Sequence, residues 1–295
     1  MIRKPTLFDI TLILFLAVVW GSAFLAIKVA VDDLGPSWLV TGRVVIGFLA
    51  LLPYVLWKGW VLPQGARQWA LIGVIATLNV IVPFYLISYA ELTIDAGLTS
   101  LLMGTGPFLA LIASHLTTDD DKLTRGKFLA VLLGFSAVLL VVGPAALSGA
   151  HADLLAQGAA MLGNVCYIVS GILIRKVEGI PPTRMAALVL AIASAALLAI
   201  NLPGGVPDFA AVDTNALLCL VYLGLFPTGL AYILRYHLIR TVGFSFFALG
   251  LNLIPVFGVI LAALLLGEAI SWRTALALAL VLAGLMIARR SARSA

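Results

Sequence analysis

YLISYAEL (Tyr85 to Leu92) and YILRYHLI (Tyr232 to Ile239) each carry two tyrosines four residues apart at the end of a long apolar run, and the phrases stand 147 positions apart. Recurrence at an offset of half a chain marks an internal duplication. At the same offset Trp20 falls on Tyr167, Lys28 on Arg175 and Tyr89 on Tyr236; after a one-residue slip Pro107 falls on Pro255. The chain therefore divides into residues 1–146 and 147–295, two copies of one unit.

The unit is a membrane unit. Of the 295 residues 63% are hydrophobic and 11% charged, and the mean hydropathy is +1.16. Such a chain cannot cover a water-facing surface with polar groups. Apolar runs of about 20 residues, the length that crosses about 30 Å of hydrocarbon, are punctuated by Pro, Gly and charge. They predict helices near Ile10–Val31, Trp38–Trp57, Trp69–Tyr89, Ala96–Leu116 and Gly126–Val142. A second set follows near Leu154–Ile174, Arg184–Asn201, Thr214–His237, Phe244–Leu266 and Trp272–Ala288. The expected fold is an all-α integral membrane protein of ten transmembrane helices in two five-helix repeats. Because five is odd, the second copy enters from the opposite side, and the repeats are inverted.

Charge orients the bundle. Fifteen of the 18 Lys and Arg fall on the side of the N-terminus; only Lys28 and Arg273 lie opposite, and Arg43 lies inside a helix. Basic loops stay in the cytoplasm, so both termini are expected there, with the protein multi-pass in the cytoplasmic (inner) membrane. The same loops account for the formal charge of +5 and the pI near 9.4, and no basic stripe suited to nucleic acid is present. Arg3 and Lys4 before an apolar run imitate a signal peptide, but the run is long and lacks a small-residue cleavage site, so it reads as an uncleaved first helix. Cys166 and Cys219 sit inside apolar runs as packing residues.

Inverted repeats place a solute site near the membrane midplane, where the halves meet. Prolines point there first. Inside a helix, proline frees the carbonyl four residues earlier, which protein, water or ligand must satisfy in lipid. Pro83, Pro107, Pro227 and Pro255 would free the carbonyls of Asn79, Met103, Leu223 and Leu251, all in the third and fourth helices of a repeat. They are read as helix hinges, the alternative being static kinks. Polar residues inside apolar runs face the bundle interior, which gives Ser22, Asn79, Ser100, Thr105, Asn164, Ser170, Thr228 and Asn252 as candidates, with aromatic walls from Trp20, Tyr85, Tyr89 and Tyr167. Asn can donate and accept, as a zwitterion requires, and aromatic faces suit an apolar side chain or a cation; the Ser and Thr candidates read alternatively, and in preference, as hydroxyls satisfying their own helix backbone. The tyrosine pairs read alternatively as interfacial belt residues. Arg43 either attracts an anionic group or snorkels to the outer interface, and snorkelling is favoured. Lys28 has the same two readings.

The phrases VVWGSAFLAIK (Val18–Lys28), YAELTIDAGLTSLLMGTGPFLALIAS (Tyr89–Ser114) and LIPVFGVILAALLLGEAIS (Leu253–Ser271), with Arg43 in the second helix, resemble drug/metabolite transporters of the EamA type across the whole chain. Within that superfamily the chain is similar to the YddG-type exporters of aromatic and other neutral amino acids. The resemblance implies a secondary transporter exporting small neutral or zwitterionic solutes, amino acids foremost, by alternating access. One departure is that Leu266-Gly267-Glu268 follows the ninth helix where the first repeat has Thr118-Asp119-Asp120, which speaks against a symmetric role for that loop.

Other functions fit less well. His115, His151 and His237 lie in separate segments with no HExxH and no triad partner, so an intramembrane enzyme is not expected, nor a cofactor or a metal. A nucleotide-sugar or phosphorylated-metabolite carrier would need several convergent cations, and Arg43 with Lys28 is a thin supply. A drug carrier of the same fold and a channel are further alternatives. The expected partners are a small-molecule substrate and the bilayer, with the chain acting as a monomer. No Asp or Glu falls near the middle of a predicted span; Glu91 and Asp95, at helix ends, are the nearest proton-carrying candidates.

Overall fold

The computed structural model describes residues 3–117, 123–148, 150–243, 247 and 250–293. Among them eight helices are long and apolar enough to cross a membrane, and Ile254–Leu266 is a shorter apolar one. The fold is all-helical and multi-pass.

The first helix, α1 (Leu7–Lys58), starts where the sequence specifies a start. Thr6 and Asp9 form a capping box, and Arg3 grips the Asp9 carboxylate through two bonds of 2.5 and 3.0 Å. Its 52 residues would reach about 78 Å as a straight rod, more than twice the apolar thickness of a bilayer. The rod is broken at Gly35, whose φ of 65° and ψ of 157° lie outside the helical region and only glycine adopts easily. Pro36 follows directly and cannot donate back into the preceding turn. The two arms, before and after Gly35, match the first two predicted spans.

The remaining elements are α2 (Gly65–Ala76), α3 (Val82–Ala90), α4 (Ala96–Met103), α5 (Gly106–Thr117), α6 (Arg125–Ser148), α7 (His151–Ile174), α8 (Pro182–Asn201), α9 (Thr214–Leu223), α10 (Ala231–Val242), α11 (Ile254–Leu266) and α12 (Trp272–Arg293). A π-helical segment, Thr77–Ile81, joins α2 to α3, and another, Gly224–Leu230, joins α9 to α10. The two begin 147 positions apart, the offset of the tyrosine phrases. Breaks at Gly104–Thr105, between α4 and α5, and at Asn252–Leu253, before α11, stand 148 positions apart, as the slip between Pro107 and Pro255 requires. The duplication is thus written in the irregularities of the helices as well as in their sequence.

All four expected prolines sit at these irregularities. Pro83 opens α3 directly after one π segment and Pro227 lies within the other; Pro107 and Pro255 open α5 and α11 just after the breaks. A widened turn or a broken one accommodates the missing N–H and the ring clash at each.

Packing interleaves the two halves. One core cluster joins Val44, Leu51 and Val55 of α1 to Ile75, Phe84 and Leu190. Another joins Ile27 and Ala30 of α1 to Leu220, Leu223 and Ala262, and a third joins Leu101, Phe108 and Ala130 to Val259, Val281 and Leu285. Small residues allow the closest crossings. A Cβ on Gly47 would stand 2.6 Å from Thr228 Cγ2, and Gly224 packs its backbone on Ile46. Phe108 lies against Gly134 and Gly284.

Two sets of polar ties hold the ends of the bundle. At one end Lys28 Nζ donates to the carbonyls of Glu91 (2.6 Å) and Ile94 (3.2 Å), and the Asp213 amide donates to Asp33 (3.1 Å). Glu268 accepts from the amides of Ala96 and Gly97, both at 2.9 Å. At the other end Arg184 donates to the carbonyls of Gly59 and Lys58, and the Arg3 amide to Thr241.

Candidate functional site

The polar interior is concentrated where α1 meets the stretch from Tyr222 to Thr228. Three bonds cross this contact. Trp20 Nε1 donates to the Pro227 carbonyl at 3.1 Å, Ser22 Oγ and the Tyr222 hydroxyl meet at 2.5 Å, and Arg43 Nε donates to Thr228 Oγ1 at 2.8 Å. Both arms of α1 therefore grip the π segment of the second half, with the Gly47 and Gly224 crossings bringing the backbones close enough for these side chains to reach.

Thr228 explains how the π segment is satisfied. Its hydroxyl donates to the Leu223 carbonyl at 2.7 Å, the carbonyl that Pro227 was expected to free, and accepts from Arg43. The break at Gly104–Thr105 is handled alike: Thr105 Oγ1 (2.6 Å) and Asn164 Nδ2 (3.0 Å) both donate to the Leu102 carbonyl, one residue from the expected Met103. Asn164 also leans on Gly106, where a Cβ would meet its Oδ1 at 2.8 Å.

Arg43 is the residue on which the sequence reading is corrected. It does not snorkel. The side chain is 7% exposed, lies with its guanidinium carbon 3.9 Å above the centre of the Phe84 ring, and has Tyr167 and Tyr232 within electrostatic reach. It forms no ion pair among the described residues; Nε alone is engaged, and the two terminal nitrogens donate to no described residue. Snorkelling lost because Thr228 and Phe84 offer a hydrogen bond and a ring face deeper in the bundle than the interface does. A buried cation without a counter-charge costs several kcal/mol, which an anionic group entering the site would offset. Two free parallel N–H groups on a planar fork match a carboxylate.

The other candidates are distributed around this centre. Tyr167 belongs to it, and Trp20 adds an edge-on contact with Phe247 at 6.0 Å. Asn79 lies in the first π segment, half-buried, and Asn252 in the break before α11; neither makes a side-chain hydrogen bond among the described residues. Tyr85 and Tyr89 are 42% and 40% exposed on α3 and are not joined to the Arg43 centre by any described contact. Ser100 is fully buried against Gly258 with its hydroxyl unpartnered among the described residues, and Ser170 bonds the Tyr167 carbonyl of its own helix at 2.9 Å. The side chain of Tyr236, the loop residues Thr118 to Asp120 and residues 244–246 at the start of the ninth predicted helix lie outside the described residues.

Phe84 and Tyr222 were missed by sequence reasoning. Tyr222 precedes the carbonyl expected to be freed by Pro227, and Phe84 follows Pro83, so proximity to the prolines was the available signal. Lys28 and Glu268 were read as interfacial or loop residues and serve as end ties. No group of three or more His, Cys, Asp or Glu capable of holding a metal occurs among the described residues.

A model of the EamA-like transporter family matches twice, over residues 7–143 and 154–290. An uncharacterized transporter, YdfC of Bacillus subtilis, is 27% identical over 84% of this chain and 80% of its own. A protein of Streptantibioticus cattleyicolor named a probable terminal-alkyne amino-acid exporter is 26% identical, with 92% of this chain and 90% of that one covered. A solved crystal structure shares the fold with a TM-score of 0.65 at 23% identity, covering 96% of this chain and 98% of that one. The two family matches, separated by residues 144–153, lie one in each half of the chain: this chain belongs to the EamA-like transporter family.

Proposed function

We propose that the chain is a secondary transporter exporting small neutral or zwitterionic solutes, amino acids foremost, across the cytoplasmic membrane by alternating access. Ten crossings form two inverted five-helix repeats, residues 1–146 and 147–295, with both termini in the cytoplasm. The observation that carries the substrate class is the buried Arg43, with its terminal nitrogens unengaged by described residues and its surroundings built from Phe84, Tyr167, Tyr232 and Thr228. One cation receives one carboxylate, and aromatic faces receive an ammonium or an apolar side chain. The relative named as an amino-acid exporter supports the same class.

A carrier of phosphorylated solutes would require further cations at this depth, and Lys28 is committed to the carbonyls of Glu91 and Ile94. Alternating access is supported by the paired irregularities at residues 77–81 and 224–230 and at 104–105 and 252–253, which let helix halves pivot without breaking full ladders. Purified protein in liposomes, offered labelled amino acids, sugars and drugs, tests the reading. Uptake of neutral amino acids above protein-free liposomes is expected; uptake confined to sugars or drugs would replace the substrate class.

A further inference from the structure

The turn after α3 buries a carboxyl group that the transport site does not use. Glu91 has no exposed surface, and among the described residues neither carboxyl oxygen has a hydrogen-bond donor. It closes the C-terminal end of α3, where the helix dipole disfavours negative charge. The charged groups around it do not repair this. From α1, Lys28 donates to the backbone carbonyls of Glu91 and Ile94 and makes no ion pair with the carboxylate, and Arg43 acts only at a distance. From the turn after α11, the negative Glu268 is pinned on Ala96 and Gly97; Asp95 lies in the same turn as Glu91. From α7, Ala156 and Ala160 pack with Ala90 and Ile94 on either side of Glu91, with the buried Gln157 between them in sequence; Asp153 stands a turn nearer the helix start.

We propose that Glu91 is a proton-binding site that controls closure of this end of the bundle, with Lys28 as the exchanging partner; this rests on the reading of the chain as an alternating-access carrier. In the closed arrangement the carboxyl holds its proton and Lys28 ties α1 to the turn at residues 91–94. On opening, the Lys28 ammonium leaves the two carbonyls, the Glu91 O–H bond breaks, the proton passes to water at that end, and the carboxylate pairs with the ammonium. One proton is released per opening and rebound per closure, with no other reactant. Burial pushes the Glu91 carboxyl well above the usual carboxylate range, partly countered by Lys28, in keeping with a held proton. A cavity of about 240 Å³ at this end is lined among others by Asp95, Glu268 and Arg273, and the charge of Glu268 reaches Glu91.

Infrared difference spectra between the reconstituted protein and its Glu91→Gln variant test the protonation directly. At neutral pH the carbonyl stretch of a protonated carboxyl is expected in the parent and lost in the variant; its absence from the parent overturns the proposal. Spin labels on the exposed positions Asp32 and Leu92, at the two sides of the Lys28 tie, then report closure. The distance is expected to lengthen as pH rises in the parent and to be independent of pH in Glu91→Gln; a pH-independent distance in the parent overturns the proposal. Lys28→Gln, which leaves Glu91 in place, is expected to keep the carboxyl band and lose the short distance at every pH. Neither readout depends on the solute carried: a protein passing no amino acid but showing both effects would sink the substrate reading and leave the proton site standing.

Discussion

Arg43 and Thr228, 185 positions apart, meet inside the bundle through one 2.8 Å hydrogen bond, and that bond joins the first copy of the repeat to the π segment of the second. Thr228 passes the contact on to the Leu223 carbonyl, so the buried cation and the irregular backbone are one unit.

Arg43→Met should therefore fold and insert but transport carboxylate-bearing solutes poorly. Losing a charge-assisted hydrogen bond of about 1.5–3 kcal/mol corresponds to roughly a 10- to 100-fold fall in apparent affinity. The amine analogue of a transported amino acid, which lacks the carboxylate, should be affected less. Equal losses for both would remove Arg43 from carboxylate recognition.

Gly47→Ala pushes a methyl group to 2.6 Å from Thr228 Cγ2. Overpacking of this kind costs about 1–3 kcal/mol. The unfolding temperature in detergent should fall accordingly, while Gly73→Ala, inside α2 with no atom within 4 Å of the new methyl, should unfold no lower than the parent.

Glu268→Gln weakens the anionic cap on the amides of Ala96 and Gly97. A loss of about 0.5–2 kcal/mol is expected, as for other helix caps. Hydrogen exchange at the start of α4 should speed up, with exchange in α8 unchanged.

Glu91 gives the chain a pH-dependent stability of defined sign. Its folded carboxyl lies well above the ordinary range because of burial, with Lys28 opposing, Glu268 reinforcing and Arg43 opposing. The folded state thus holds more protons than the unfolded state between the ordinary value of about 4.3 and the raised one. Stability from this group is complete below that window and lost as pH rises through it. The unfolding temperature should drop as pH rises above the ordinary carboxylate range, and drop less in Glu91→Gln. Equal slopes would assign the pH dependence elsewhere.

The fold was legible because lipid leaves few solutions. Apolar runs must be helices, prolines must bend them, and Tyr85 with Tyr232 revealed the duplication; the π segments later fell at that same offset. The freed Leu223 carbonyl was predicted from Pro227 alone. What took it up was not predictable, since Thr228 is five residues away and Arg43 reaches it only through the Gly47 crossing. Arg43 read as a snorkelling residue because hydropathy knows depth but not neighbours. Lys28 and Glu91 lie 63 positions apart, and nothing local in either segment announces that the ammonium prefers carbonyls to the carboxylate. Helix ends and prolines are local signals; cross-bundle polar contacts are products of packing.

Counterflow tests the central claim, a solute-binding carrier built from two facing halves, most directly. Liposomes holding the purified protein are preloaded with an unlabelled neutral amino acid and diluted into the labelled one. The account predicts transient accumulation of label above equilibrium, strongly reduced in Arg43→Met. Label that merely equilibrates, at a rate indifferent to preloading, would describe a pore and contradict it.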